Sequence, residues 1–90
     1  MIEFEKEYLN YIKANGVGKN DKVASSPKSY ISYLNSVSKL LNKNISPEII
    51  SNMDDIKSIL KNLNGRRRPS TLNNYQSALK QYLFFLETKN

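Results

Sequence analysis

The sequence lacks cysteine, histidine and tryptophan, and it contains only three glycines and three prolines in ninety residues. Without cysteine, neither a disulfide nor a thiolate metal site can stabilise the fold. Without histidine as well, the commonest general base, the soft metal ligands and the thiol nucleophile are all missing. We therefore expect a domain that is stabilised by its aromatic and aliphatic residues and that holds no metal, binds no cofactor and is not an enzyme.

Long apolar runs are also missing, so no segment predicts a membrane span, and the start MIEFEKEYL contains no signal-peptide core. The glycines Gly16, Gly18 and Gly65 do not have the spacing of a phosphate-binding loop. A chain of this length accommodates one domain with one modest core. We expect residues 1–90 to form a single domain of a cytoplasmic protein, with neither a membrane nor a small-molecule substrate as a partner.

The formal charge of +6 is concentrated in the last third of the chain. Residues 1–55 carry seven lysines and seven acidic residues, whereas residues 56–90 carry seven lysines and arginines against Glu87 alone. A basic asymmetry of this kind favours a polyanionic partner.

Apolar residues recur with the helical period in four segments, and no segment alternates as a half-buried strand would. Serine–proline pairs at 26–27 and 46–47 are helix-start signals, and Gly16 and Asn64–Gly65 are stop signals. The predicted helices cover residues 2–15, 27–42, 54–63 and 70 onwards. The prediction is an all-α, compact bundle of four or five helices. Its expected buried residues are Tyr30, Leu34, Val37, Leu41, Ile59, Leu63, Leu72, Tyr75, Leu79 and Leu86.

Acidic residues have structural explanations in this sequence. Glu3, Glu5 and Glu7 lie in the predicted first turn of a helix, where they favour its dipole. Asp54 and Asp55 could form a metal or acid–base pair, but capping of the third helix explains them more simply.

The predicted outer faces of the second and fourth helices are rich in Lys, Asn, Gln and Ser and poor in acids. A solvated face usually alternates Glu with Lys, because such pairs support the helix. Lysine contacts phosphates as a point charge, and amide side chains can pair with adenine edges in the major groove. An Asn- and Lys-rich composition is the alternative explanation of these faces. These faces carry Lys28, Ser32, Asn35, Ser36, Lys39 and Lys43 on the second helix and Asn73, Gln76, Ser77, Lys80 and Gln81 on the fourth.

Three consecutive arginines, Arg66, Arg67 and Arg68, precede the start of the fourth helix, where the helix dipole is already positive. This placement gains nothing for the helix itself. The planar guanidinium fork matches phosphate, and Ser70 and Thr71 bring hydroxyls and backbone N–H groups to the same helix start. The arrangement predicts a phosphate contact, and the alternative is a solubilising turn.

The segments SPKSYISYLNSVSKLL, MDDIKSILKNL and PSTLNNYQSALKQYLFFLE together resemble the N-terminal SAM-like, or core-binding, domain of phage integrases and other tyrosine recombinases. The resemblance covers roughly residues 3–88. It implies that four helices form half of a clamp around duplex DNA, with the second and fourth helices against the DNA. The resemblance would make Lys28, Ser32, Asn35 and Lys39 on the second helix and Asn73, Ser77 and Lys80 on the fourth the DNA-facing set.

The sequence departs from that family in two respects. The loop of residues 16–26 is longer than the family's usual turn, and the catalytic domain with its Arg, His and Tyr residues is not among these ninety residues. No tyrosine here is expected to be the recombinase nucleophile. Partners beyond DNA could be a C-terminal catalytic domain or further copies on DNA.

Three alternatives remain open. The segment SYISYLNSVSKLLNKNISPEII also resembles helical modules at the front of some restriction-type nucleases. Phe84 falls on the polar side of the fourth helix and could dock a protein partner or a further domain. Binding to an acidic membrane surface is the least favoured, because the basic residues lack an adjoining exposed apolar face.

Overall fold

Four helices account for most of the residues that the structure, a computed structural model, describes, namely 2–15 and 27–89. They are α1 (Glu5–Asn15), α2 (Pro27–Leu41), α3 (Met53–Leu63) and α4 (Pro69–Lys89). Within these residues two isolated β-bridges occur but no strand, so the predicted all-α bundle is confirmed. No helix of this part of the chain has the length and apolar character needed to cross a bilayer. The predicted stop at Gly16 and cap at Ser26 lie outside the described residues.

The bundle is organised around α4, which packs against each of the other three helices. Helices α2 and α4 run in opposite directions. The rings of Tyr33 and Tyr75 lie 6.3 Å apart, while Leu40, near the end of α2, contacts Arg66, just before the start of α4.

The end of α2 is set by a backbone conformation at Asn42, whose φ is 55°. The N–H of Asn42 donates to the Lys39 carbonyl at 3.2 Å, and the N–H of Lys43 donates to the Ser38 carbonyl at 3.1 Å. This is the hydrogen-bond pattern of a Schellman motif, and asparagine is one of the few residues that tolerate its left-handed position. The helix therefore ends at Leu41, one residue before the predicted boundary.

The start of α3 is capped by side chains. The Asn52 Oδ1 atom accepts from the N–H of Asp55 at 2.9 Å, and Asp55 Oδ2 accepts from the N–H and the hydroxyl of Ser51 at 2.8 and 2.7 Å. These two hydrogen bonds from Ser51 lower the pKa of the Asp55 carboxyl below its ordinary value. The capping role predicted for Asp55 is confirmed, although the cap residue is Asn52 and the helix begins at Met53.

A tight turn joins α3 to α4. Asn64 has φ −60° and ψ 130°, Gly65 has φ 87°, and the N–H of Arg66 donates to the Leu63 carbonyl at 2.9 Å. These values match a type II turn, which requires a positive φ at its third residue and therefore favours glycine there. The predicted Asn64–Gly65 stop is confirmed.

The N-terminal residues pair with the loop between α2 and α3 instead of extending α1 to residue 2 as predicted. The N–H of Glu3 donates to the Ile45 carbonyl at 2.8 Å, and the Tyr82 hydroxyl donates to the Glu3 carbonyl at 2.9 Å. Phe4 precedes α1 and is 37% exposed, and its ring faces the Lys89 ammonium at 4.3 Å.

An aromatic cluster forms the centre of the core at the α1–α4 contact. The Tyr8 ring lies 5.5 Å from Tyr82 and 5.9 Å from Phe85, and its hydroxyl donates to the Ala78 carbonyl at 3.1 Å. Burial raises the pKa of both the Tyr8 and the Tyr82 phenols above their ordinary value, so these groups stay neutral.

Most of the predicted core is confirmed by the burial of individual side chains. Seven of the ten expected residues are buried, whereas Leu41, Leu72 and Leu86 are only half-buried and pack against the core from its edge. Ala78 and Phe85 are buried although the prediction did not include them.

Candidate nucleic-acid interface

The outer face of α2 presents the four predicted residues along one line. Lys28, Ser32, Asn35 and Lys39 have the spacing of one helix face, opposite the side that buries Leu34. Three of the four side chains are exposed, and Asn35 is half-buried. No acidic residue occurs in α2, so this face presents ammonium, amide and hydroxyl groups without a carboxylate.

The outer face of α4 carries the same types of polar side chain as that of α2. Asn73 is exposed, while Ser77 and Lys80 are half-buried and follow it at the spacing of one helix face. Phe84 extends this line and is 41% exposed, as the sequence predicts. An exposed phenylalanine therefore follows the polar residues on the outer face of α4.

The three arginines of the turn are all exposed but differ in their contacts. Arg66 Nη2 donates to the Leu40 carbonyl at 3.4 Å, and Arg67 Nη1 donates to the carbonyl of Arg66 at 2.7 Å. Neither the hydrogen bonds nor the ion pairs of the described residues include the Arg68 guanidinium. Arg68 is thus the arginine with the most freedom to meet an external anion.

The start of α4 lies directly beside these guanidinium groups. The helix begins at Pro69, one residue before the predicted Ser70, and its first hydrogen bond runs from the N–H of Leu72 to the Arg68 carbonyl at 3.0 Å. The N–H groups of Ser70 and Thr71 have no intrahelical acceptor because they belong to the first turn. Ser70 is exposed and Thr71 is half-buried, so both predicted residues lie at the same helix start as the arginines.

Three adjoining surface grooves connect the arginine turn to the C-terminal end of α2. The α2 groove is lined by Ser38, Lys39, Asn42, Lys43 and Asn44. The central groove is lined by Leu40, Leu41, Lys43, Ile49, Ser58, Ile59, Asn62 and Arg66. The arginine groove is lined by Gly65, Arg66, Arg67, Arg68 and Thr71. Lys43 is shared by the first two grooves and Arg66 by the last two, so neighbouring grooves adjoin each other.

We call the five cations of these grooves the basic band: Lys39, Lys43, Arg66, Arg67 and Arg68. No carboxylate lines any of these three grooves, but Glu3 and Glu48 line an adjoining groove that shares Lys43 with two of them. In residues 2–15 and 27–89, none of these five side chains forms an ion pair with a carboxylate. The fold thus brings cations from two separate segments of the sequence together and leaves them without acidic partners.

Lys43 belongs to the polar outer face predicted for the second helix but not to the predicted set of DNA-contacting residues. A signal for it exists, because Lys43 follows Lys39 by four residues and would continue the outer face of α2 if the helix were longer. The Schellman motif instead turns the chain at Asn42, so that Lys43 lines a groove with Arg66.

Carboxylates do not assemble into a metal site in the part of the chain that the structure describes. The acids of α1 and α3 lie in the first turns of their helices, where they favour the helix dipole. The buried tyrosines Tyr8 and Tyr82 donate to main-chain carbonyls, which gives their hydroxyls a structural role.

Comparison of the chain with protein-family models, with curated proteins and with solved structures finds no match.

Proposed function

We propose that this chain is a non-catalytic DNA-binding module that contacts duplex DNA with the outer faces of α2 and α4 and with the arginine turn. The observation that carries the proposal is the basic band, in which five cations from two chain segments line connected grooves without a carboxylate. A surface that only had to be soluble would gain more from alternating charges, because opposite charges at helical spacing support each other.

The two parts of the interface would have different tasks. Cations of the basic band would contact phosphates, which supply most of the affinity and its dependence on salt. Asn35 and Asn73, on the outer faces of α2 and α4, would contact base edges, where amide groups recognise adenine. Phosphate contacts position a protein on the duplex, and base contacts specify the sequence that it prefers.

The resemblance of the sequence to core-binding domains gives this proposal a context. In such a setting the chain would form half of a clamp on DNA in the cytoplasm, working with the catalytic domain of a phage integrase or another tyrosine recombinase. A module of a restriction-type nuclease or another mobile-element protein is the alternative context, and it uses the same surface.

The test is a titration of a fluorescently labelled duplex at several salt concentrations. The triple variant Arg66→Ala, Arg67→Ala, Arg68→Ala should weaken binding to every duplex and flatten the slope of log affinity against log salt. Each lost phosphate contact flattens that slope by about 0.9, so we expect a change of roughly one to three units.

A matched control removes the same charge from other places. Lys6, Lys13 and Lys57 are exposed and lie on α1 and α3, outside the proposed interface. Replacing these three lysines with alanine should leave the slope close to that of the wild-type protein. Equal effects of the two triple variants would mean that only the net charge matters, and the proposed interface would be wrong.

A second candidate function is docking of a protein through Phe84, and the exposure of its ring favours it. A docking partner would protect Phe84 from solvent, whereas the DNA-binding function does not require this side chain. Phe84→Ser should then abolish association with the partner domain while leaving the affinity for duplex unchanged.

A further inference from the structure

Two hydrogen bonds with Ser38 hold the backbone of Lys43 in place. The N–H of Lys43 donates to the Ser38 carbonyl at 3.1 Å, and its own carbonyl accepts from the Ser38 hydroxyl at 2.6 Å. Ser38 is only 4% exposed, so this attachment lies in the protected part of the bundle. The Lys43 side chain itself is exposed. A cation on a fixed backbone loses less freedom on binding than one on a mobile loop.

The surroundings of Lys43 contain a second cation, Arg66, and two carboxylates, Glu3 and Glu48, which line another groove with Lys43. Arg66 lines the central groove together with Lys43, and its guanidinium donates to the Leu40 carbonyl at the end of α2. The Arg66 backbone is fixed as well, because its N–H closes the turn on the Leu63 carbonyl. The central groove therefore has one cation from each side, and the backbone of each of these two residues is held by hydrogen bonds.

The dipole of α2 accounts for the position of Arg66 at the end of this helix but not for that of Lys43. The C-terminal carbonyls of a helix attract positive charge, and Arg66 already donates to one of them. The Lys43 ammonium makes no hydrogen bond or ion pair with the described residues. It is the cation in this groove whose charge has no partner within the described part of the chain.

We infer that Lys43 binds phosphate, and that the C-terminal end of α2 and the arginine turn form one anion-binding site with Lys43 and Arg68 as its contacts. Arg66 is a positioning residue in this site, since it ties the turn to α2. The inference rests on the proposed function in taking the phosphates to be those of a duplex. It adds a residue from the end of α2 and separates the roles of the arginines.

The first experiment measures the salt dependence of duplex binding for Lys43→Ala, Lys43→Arg and Lys6→Ala. Loss of one phosphate contact should flatten the slope of log affinity against log salt by about 0.9 in Lys43→Ala. Lys43→Arg keeps the charge and should keep the slope. Lys6→Ala removes an equal charge from α1 and should also keep it. A Lys43→Ala slope equal to that of Lys6→Ala would overturn the inference while leaving duplex binding intact.

A second measurement separates this inference from the proposed function. Pyrophosphate is titrated into the wild-type protein and into Lys43→Ala, and backbone amide shifts are followed by NMR. The amides of Asn42–Asn44 and Arg66–Arg68 should shift, and the affinity should fall by about two- to fivefold in Lys43→Ala but not in Lys6→Ala. Such a result without binding to any duplex would support the anion site and refute the DNA-binding function. Equal pyrophosphate affinities in all three proteins would refute the site.

Folding does not complicate these tests, because the contacts that fix Lys43 use its backbone and not its side chain. Lys43→Ala should melt at the same temperature as the wild-type protein. The role of Arg66 is tested by Arg66→Gln, which removes the charge and keeps a donor. A positioning role predicts that Arg66→Gln changes the salt slope less than Arg68→Gln does, and equal changes would contradict it.

Discussion

Replacing Gly65 with alanine tests the turn that presents the arginines. The φ of Gly65 is 87°, and a Cβ atom added there would meet no heavy atom within 4 Å. Steric contact with the rest of the molecule therefore contributes nothing to the expected effect. The whole effect comes from the backbone, because a positive φ costs an L-residue about 1–2 kcal/mol.

A smaller effect, on the unfolded chain, stabilises the alanine variant. Alanine restricts the unfolded chain more than glycine does, which stabilises the folded state by about 0.4–1 kcal/mol. The net prediction is that Gly65→Ala lowers the free energy of unfolding by about 1 kcal/mol. Gly65→Asn should lower it less, because asparagine adopts positive φ more readily.

The measurement is urea unfolding followed by circular dichroism, with all three proteins in the same buffer. A drop in the transition midpoint with an unchanged slope would agree with the prediction. If Gly65→Ala is as stable as the wild-type protein or more stable, the residue does not occupy a left-handed conformation. The type II turn would then be wrong, together with the placement of the arginines that depends on it.

The remaining predictions concern the core, the aromatic surface and the α3 cap. Leu79→Ala should lower the free energy of unfolding by about 2–5 kcal/mol, since Leu79 is completely buried, and a negligible loss in urea unfolding would remove Leu79 from the core. Tyr82→Phe should cost about 0.5–1.5 kcal/mol by deleting the hydroxyl that holds Glu3, and Tyr75→Phe, which deletes no such bond, is its control in the same assay. Phe84→Ser should leave the melting temperature unchanged, because a clear fall would show that the exposed ring belongs to the core. The hydrogen bonds from Ser51 lower the pKa of Asp55, so its contribution to stability is present above the ordinary value of 3.8 and is lost as pH falls through the lower folded value. The stability difference between the wild-type protein and Asp55→Asn should therefore shrink in acid, and a difference that grows there would contradict the assigned cap.

The helices could be predicted from sequence because their signals are local. Hydrophobic period, capping side chains and the Asn64–Gly65 stop act within a few residues, so they predict helix ends to within one or two positions. The N-terminus is different, because Ile2 and Glu3 pair with Ile45 through contacts that no local pattern describes. This tertiary pairing explains why α1 begins at Glu5 and not at residue 2.

The core of α4 was harder to predict because this helix has three neighbours. A single apolar stripe selects Leu72, Tyr75 and Leu79, which suits a helix packed on one side. Contacts with α1, α2 and α3 bury a wider arc, and Ala78 and Phe85 lie within that arc. Leu72 lies nearer its edge and is half-buried.

The residues of the candidate site also fall into two groups, those that local sequence patterns predict and those whose place depends on the fold. The outer faces of α2 and α4 follow directly from helical spacing, and none of their predicted residues is buried. The place of Lys43 depends on the Schellman motif, and the difference between Arg66 and Arg68 depends on a carbonyl 26 residues away in sequence. The pattern of residue types indicates Lys43 as part of the polar face, but it gives neither its place beside Arg66 nor the difference between Arg66 and Arg68.

Mapping of backbone amide shifts in the presence of a short duplex tests the proposed function most directly. The labelled protein is titrated with a duplex at low salt, and the shifts are assigned to residues. Binding through the proposed interface should give the largest shifts on the outer faces of α2 and α4, on Lys43 and on Arg66–Arg68, with small shifts in α1. An absence of shifts with any duplex, or shifts that centre on α1, would contradict it.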